Sequence, residues 1–146
     1  MSYLRVWIHF VWSTKKNRPL MIKNIRQQIF DHIRENAKTK KIHVDFINGY
    51  TQHVHCLVSM NSNQTIAEIV RLLKGESAFW INKNMLINKK FEWQRQYWAV
   101  SVNHTGVNGL RNYIKNQEAH HEQRTFDDEV DEFIEKYGLE RFDDDE

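Results

Sequence analysis

An antiparallel α+β sheet of ferredoxin-like type, ordered β-α-β-β-α-β with a further helical segment behind it, is the fold this sequence predicts. Three observations carry the prediction. Stretches of β-branched and aromatic residues take turns with stretches whose apolar residues recur every three or four positions. The dipeptide Asn48-Gly49 marks a hairpin-type break between two of the strand-like stretches. No internal repeat, low-complexity linker or Pro-rich boundary interrupts the chain, so residues 1–146 read as a single domain, with about 140–146 a frayed acidic tail.

Leu4–Thr14 has the composition of a long first strand, ended by the turn-like "KKNRP". Pro19 then opens a helix whose Ile22, Ile25, Ile29 and Ile33 form one apolar stripe running to about Lys38. "IHVDFING" is the second strand, and His53–Met60 the third, antiparallel to it. Thr65 with Glu68 three residues on makes a capping box, and Ile66, Ile69, Val70 and Leu73 carry a helix past Lys74, with Gly75 a weak point beyond. "QYWAVSVN" is the fourth strand. After Gly106 and Gly109, "LRNYIKNQEAHHEQ" reads as a helix, followed by a second through "TFDDEVDEFIEKYG" that docks by Val130, Phe133, Ile134 and Tyr137.

The net charge of +2 conceals a division along the chain. Residues 1–115 carry eighteen Lys and Arg against six Asp and Glu, whereas residues 116–146 carry three against thirteen. A basic body attracts polyanions, and the aromatic stretches "VWIHFVWSTKK" and "FEWQRQYWAV" offer surfaces on which unpaired bases stack. The single cysteine, Cys56, excludes an internal disulfide framework and a Cys-rich zinc site. No cleavable leader is visible and no apolar run approaches the ~20 residues a membrane helix needs, so the expectation is a cytoplasmic, membrane-free protein.

Residues 52–60, "QHVHCLVSM", set two imidazoles one residue apart on a strand. His53 and His55 therefore share one face while Val54, Cys56 and Val58 share the other. A metal site needs a further ligand, and the helix near the end of the chain offers Gln117, with Tyr113 one turn before it on the same helical face. Two imidazoles and an amide oxygen form a neutral N/O set that suits Mg²⁺ or Mn²⁺, and Tyr113 beside it would be a nucleophile toward a phosphodiester. Tyr50 and Tyr97 are rival phenols, but neither has a Gln one helical turn away. His120 and His121 could assist proton transfer or touch phosphate, but read more readily as solvated helix residues beside Glu118 and Glu122, with His9 and His43 as strand residues and His104 as a loop residue.

"HVHCLVSM", "IVRLLKGESAFWINKN", "WQRQYWAVSV" and "YIKNQEAHH", in this order and spacing, resemble the small single-tyrosine HUH transposases of bacterial insertion sequences, the IS200-like kind, and their REP-associated tyrosine transposase relatives. "IHFVWSTKKNRPL" and "TFDDEVDEFIEKYG" extend the resemblance over nearly the whole chain. It implies a bacterial enzyme that cuts and rejoins single-stranded DNA at hairpin-marked element ends through a 5′-phosphotyrosine, with a divalent metal, no nucleotide cofactor, and a homodimeric assembly. His53 and His55 match the two histidines of the HUH motif, Tyr113 the nucleophile and Gln117 the further metal ligand. Gln52 stands where many relatives have an acidic residue, which weakens the expected orientation of a ligating histidine. Lys15, Lys16, Arg18, Lys74 and Arg95 are the candidate DNA contacts. The competing reading is a domesticated, non-cleaving binder of structured single strands. A replication-type nickase is remoter, because the chain is short and lacks a helicase domain.

Overall fold

The computed structural model describes residues 1–142. Its elements are β1 (Val6–Ser13), α1 (Lys23–Thr39), β2 (His43–Gly49), β3 (His53–Met60), α2 (Ile66–Lys83), β4 (Trp98–Val102), α3 (Val107–Lys115), α4 (Gln117–His121) and α5 (Phe126–Tyr137). The strands form one sheet in the order β2-β3-β1-β4, with every neighbouring pair antiparallel. This is the expected ferredoxin-like arrangement. Of the expected acidic tail, residues 143–146 lie outside the described residues.

Register assigns the two faces. In β1 and β3, Phe10 lies opposite Cys56, Val11 opposite His55 and Ser13 opposite His53, and directly opposed residues share a face. Ile8, Phe10 and Trp12 therefore join Val54, Cys56 and Val58 in the main core, which α1 covers with Ile29, Phe30 and Ile33, and α2 with Ile69, Val70 and Leu73. Each such fully buried side chain contributes about 1.5–3 kcal/mol relative to exposure. On the opposite face a smaller cluster joins Trp7 and Leu57 to Val107 and Ile114 of α3. The histidine face of β3 lies on that second side, beneath the C-terminal helices.

Local chemistry explains most element boundaries. Gly49 is required where β2 turns into β3, because a Cβ there would stand 2.1 Å from the carbonyl oxygen of His53. Thr65 caps α2 by accepting from the Glu68 amide at 3.1 Å, and the helix runs through Gly75 without interruption. Thr125 caps α5 through the Asp128 amide at 3.2 Å, and Gly138, at φ +59°, ends it in the left-handed conformation.

Several expectations need correction. The first strand starts at Val6 rather than Leu4, and the fourth spans Trp98–Val102 rather than residues 96–103. Pro19 does not open α1, because the Met21 amide donates to the Thr51 carbonyl at 2.9 Å and keeps the lead-in extended until Ile22. The helix expected over 110–123 is broken at Asn116 into α3 and α4. In α5 the docked residues are Phe126, Glu129, Val130 and Phe133, while Ile134 and Tyr137 are 43% and 45% exposed. Among the described residues no helix is long and apolar enough to cross a membrane.

Cys56 is fully enclosed, and burial pushes its thiol pKa up to about 12. The expected outcome is that a disulfide reagent at pH 8 releases no chromophore from the native protein. A full equivalent should appear once urea unfolds it.

Candidate active site and metal centre

The site is built on the second face of the sheet, where β3 presents His53 and His55 to α3, α4 and α5. Two latches hold α3 over β2. Arg111 donates from both Nε and a terminal nitrogen to the two oxygens of Asp45, at 2.7 and 2.8 Å. Asn48 Nδ2 donates to the carbonyls of Ile114 and Lys115, at 3.0 and 3.1 Å, satisfying the end of the helix. Between these latches sits Tyr113, whose ring meets His55 edge-on with centroids 5.7 Å apart.

Gln117 then falls directly on the histidines, its Oε1 lying 3.0 Å from His53 Nε2. The fourth member is Glu129 of α5. Its Oε1 lies 3.4 Å from His53 Nε2 and 3.2 Å from His55 Nε2, and its Oε2 accepts from the Tyr113 hydroxyl. His53, His55, Gln117 and Glu129 are all 0% exposed. One ligand atom each from His53, His55 and Glu129 falls within 4.8 Å of the other two.

The outer nitrogens of both imidazoles are engaged. His53 Nδ1 donates to Gln52 Oε1 at 3.2 Å, so the amide that replaces an acidic residue still orients the ring. His55 Nδ1 lies 2.8 Å from Nε2 of His9, which stacks on it at 5.0 Å. Both Nε2 atoms are thereby turned toward the oxygens of Gln117 and Glu129. Burial, reinforced by the neighbouring His55 charge, holds the pKa of His53 well below its ordinary value, and likewise that of His9. A neutral imidazole has one proton. With it placed on Nδ1, the Nε2 lone pair of His53 faces acceptor oxygens, and a divalent cation is the partner that such a convergence of imidazole, amide and carboxylate fits.

Burial opposes ionisation of Glu129, but hydrogen bonds from His121 and His55 and the charges of His55 and His53 outweigh it and hold the carboxyl well below the usual range. Tyr113 is driven the other way. Burial first, then its hydrogen bond to Glu129 and that group's charge, raise the phenol pKa well above its ordinary value.

Tyr113, Gln117, His53 and His55 are thus brought together from three elements. Sequence reasoning missed two members of the cluster. Glu129 was lost in the run "DDEVDE", although it sits between Phe126, Val130 and Phe133 on the apolar stripe of α5, which was the available signal. His121, expected in solvent, packs its Nε2 3.2 Å from Glu129 Oε1 and 3.1 Å from Gln117 Oε1, and it lies four residues after Gln117. His120 fits its expectation better, remaining part-exposed 3.3 Å from the Tyr113 hydroxyl. Of the rival phenols, Tyr50 stacks on His121 at 5.3 Å, and Tyr97 packs on the main core.

The basic candidates lie elsewhere. Lys15, Lys16 and Arg18 occupy the turn after β1, and that turn is stitched to the loop holding Arg95 by the Gln94 amide on the Ser13 carbonyl at 2.7 Å. Lys74 donates to the carbonyls of Gln94 and Arg95, at 2.7 and 2.9 Å, from α2.

Comparison with known proteins agrees with this fold. The family model described as "Transposase IS200 like" matches residues 2–117. The ISDra2 transposase TnpA of Deinococcus radiodurans is 25% identical over 114 residues, covering 75% of this chain and 81% of that protein. A crystal structure from D. radiodurans R1, described as a candidate transposase, superposes with a TM-score of 0.65 at 20% identity, over 80% of this chain and 93% of that one. The structure of a REP-associated tyrosine transposase bound to a REP hairpin gives a TM-score of 0.61 at 16% identity, over 83% of this chain and 72% of that one.

Proposed function

The chain belongs to the IS200-like transposase family, and from that premise we propose that it cuts and rejoins single-stranded DNA near hairpins, with Tyr113 as the nucleophile. The observation that carries the proposal is the meeting of the Tyr113 hydroxyl with a buried cluster of His53, His55, Gln117 and Glu129. In the proposed step the phenol oxygen attacks the phosphorus and the 3′ oxygen leaves. A 5′-phosphotyrosine and a free 3′-OH result, and a later 3′-OH reverses the exchange without ATP. Glu129 Oε2 already accepts from the Tyr113 hydroxyl and orients its oxygen. His120, at 3.3 Å from the same oxygen, is the nearest group for passing a proton onward. His53, His55 and Gln117, with Glu129, are the residues that would hold Mg²⁺ or Mn²⁺. Such a cation would act as a Lewis acid toward the phosphate and favour the phenolate. The REP hairpin bound by one structural neighbour supports a hairpin as the DNA partner. Assembly as a homodimer belongs to the same proposal.

A non-cleaving binder is the second reading. What favours it is that α5 encloses every donor of the cluster, so a phosphate reaches Tyr113 only when the C-terminal helices shift. One experiment separates the two. The protein is incubated with Mn²⁺ and a pool of hairpin oligonucleotides bearing randomised single-stranded flanks, denatured, digested and analysed by mass spectrometry. The expected result is a nucleotide mass on the peptide containing Tyr113, absent when EDTA is present. DNA binding that never becomes covalent would favour the binder.

A further inference from the structure

His121 has no part in the strand-transfer reading, yet its side chain is only 2% exposed and it stands among the groups that do. Its ring lies 4.6 Å from that of His53, centroid to centroid, and Tyr50 stacks on it at 5.3 Å. Its Nδ1 is 3.1 Å from the Arg124 carbonyl oxygen, which can only accept. A neutral ring therefore keeps its proton on Nδ1 and turns the Nε2 lone pair inward. Gln52 imposes the same arrangement on His53.

Three imidazole nitrogens converge on one carboxylate oxygen. Glu129 Oε1 lies 3.4 Å from His53 Nε2, 3.2 Å from His55 Nε2 and 3.2 Å from His121 Nε2. Bonds of ~2.0–2.1 Å directed to the corners of a tetrahedron set neighbouring ligand atoms about 3.3–3.4 Å apart. The three separations match that edge, and three nitrogens with one carboxylate oxygen make a closed four-ligand set of the zinc type. A set rich in imidazole favours Zn²⁺ over Mg²⁺, which prefers oxygen ligands. These ligands come from β3, α4 and α5, so an ion held among them would tie both helices to the sheet. Glu129 Oε2 meanwhile accepts from the Tyr113 hydroxyl, which keeps the phenol inside the same closure.

We propose that His53, His55, His121 and Glu129 form a Zn²⁺ clamp that locks α4 and α5 over Tyr113 until the ion is withdrawn. The clamp belongs to the enclosed form and is set before DNA arrives. Its consequence, keeping the nucleophile from DNA, rests on the strand-transfer reading above. It adds to that reading a second metal preference and a way of holding the enzyme closed.

The test begins with the full chain, stripped of metal and free of DNA. Titration with Co²⁺ should give the intense visible bands of a four-coordinate ion. Free Zn²⁺ at about a hundred times its dissociation constant should slow amide hydrogen exchange in α4 and α5 about 100-fold, and excess Mg²⁺ should not. His121→Ala and His121→Asn should each lose ~10–100-fold or more in Zn²⁺ affinity. Circular dichroism identifies a variant that fails to fold, in which case the other variant and the wild-type exchange decide. A Zn²⁺ affinity that the folded variants retain would make His121 an ordinary partner of Glu129 and overturn the clamp. So would Zn²⁺ binding that leaves exchange in α4 and α5 unchanged. In a second arm, Zn²⁺ added ahead of Mn²⁺ and the hairpin pool should lower the yield of wild-type adduct about tenfold or more. Undiminished adduct would overturn the clamp while leaving strand transfer standing. No adduct with Mn²⁺ alone would overturn strand transfer, and the exchange and affinity results would still decide the metal site.

Discussion

The Tyr113→Phe variant is expected to form no covalent DNA adduct, a loss on the order of 10³-fold or more. The substitution deletes one oxygen, and the geometry supplies no substitute. Tyr50 lies flat against His121, and Tyr97 is packed on the main core. The variant should nevertheless fold. Its ring keeps the contacts to His55 and Phe133, at 5.7 and 6.2 Å, and what is lost is the hydrogen bond to the Glu129 carboxylate, worth about 1.5–3 kcal/mol, and the longer one with His120 at 3.3 Å. Glu129 Oε2 retains the Gln117 amide at 3.4 Å and His120 at 3.6 Å. Circular dichroism should therefore be unchanged, and calorimetric titration with Mn²⁺ should show the same stoichiometry as wild type. His53→Ala should do the reverse, losing Mn²⁺ binding while the phenol remains. An adduct that survives in Tyr113→Phe would move the nucleophile to another residue, with Tyr50 the first to examine.

The second large effect concerns acid. In metal-free buffer the protein is expected to lose stability steeply as pH falls below about 6.5, by up to about 2.7 kcal/mol per pH unit. The sign follows from burial. His9 and His53 have folded-state pKa values depressed well below their ordinary ones, chiefly by burial and then by the charge of His55. Below the ordinary histidine value the unfolded chain takes up protons at these two residues and the folded chain does not, so protonation drives unfolding. Glu129 acts in the same direction at lower pH. Its depressed carboxyl contributes stability above the ordinary glutamate value, and that contribution is lost as pH falls toward the folded one. Urea titrations in EDTA at pH 7.5, 6.5 and 5.5 measure the slope. A flat profile would mean that the cluster itself takes up protons in the folded state.

What was readable in the sequence, and what was not, divides along physical lines. β3 was legible to the residue because alternation and the Asn48-Gly49 turn are local signals, and Gly49 leaves one register open. The meeting of His53 with Gln117 followed from the i to i+4 spacing of Tyr113 and Gln117 together with the family resemblance. The break at Asn116 did not disturb it, because Gln117 still lands within hydrogen-bond distance of the imidazole. Glu129 was illegible for the opposite reason. Its neighbours Asp127, Asp128, Asp131 and Glu132 have the same chemistry, and only docking of α5 decides which carboxylate is enclosed. His9 belongs to the same class, since its role depends on strand β1 lying beside β3.

The two apolar clusters on either side of the sheet are unequal. The main core, anchored by Phe10, Trp12, Phe30 and Phe91, lies on the side away from the histidines, and the cluster beneath α3 is much smaller. A protein arranged in this way keeps its ballast on one side and its chemistry on the other. The histidine side can carry an enclosed carboxylate and several imidazoles because most of the apolar burial lies on the other face of the sheet. Substitutions on the histidine side can then leave the larger apolar core untouched.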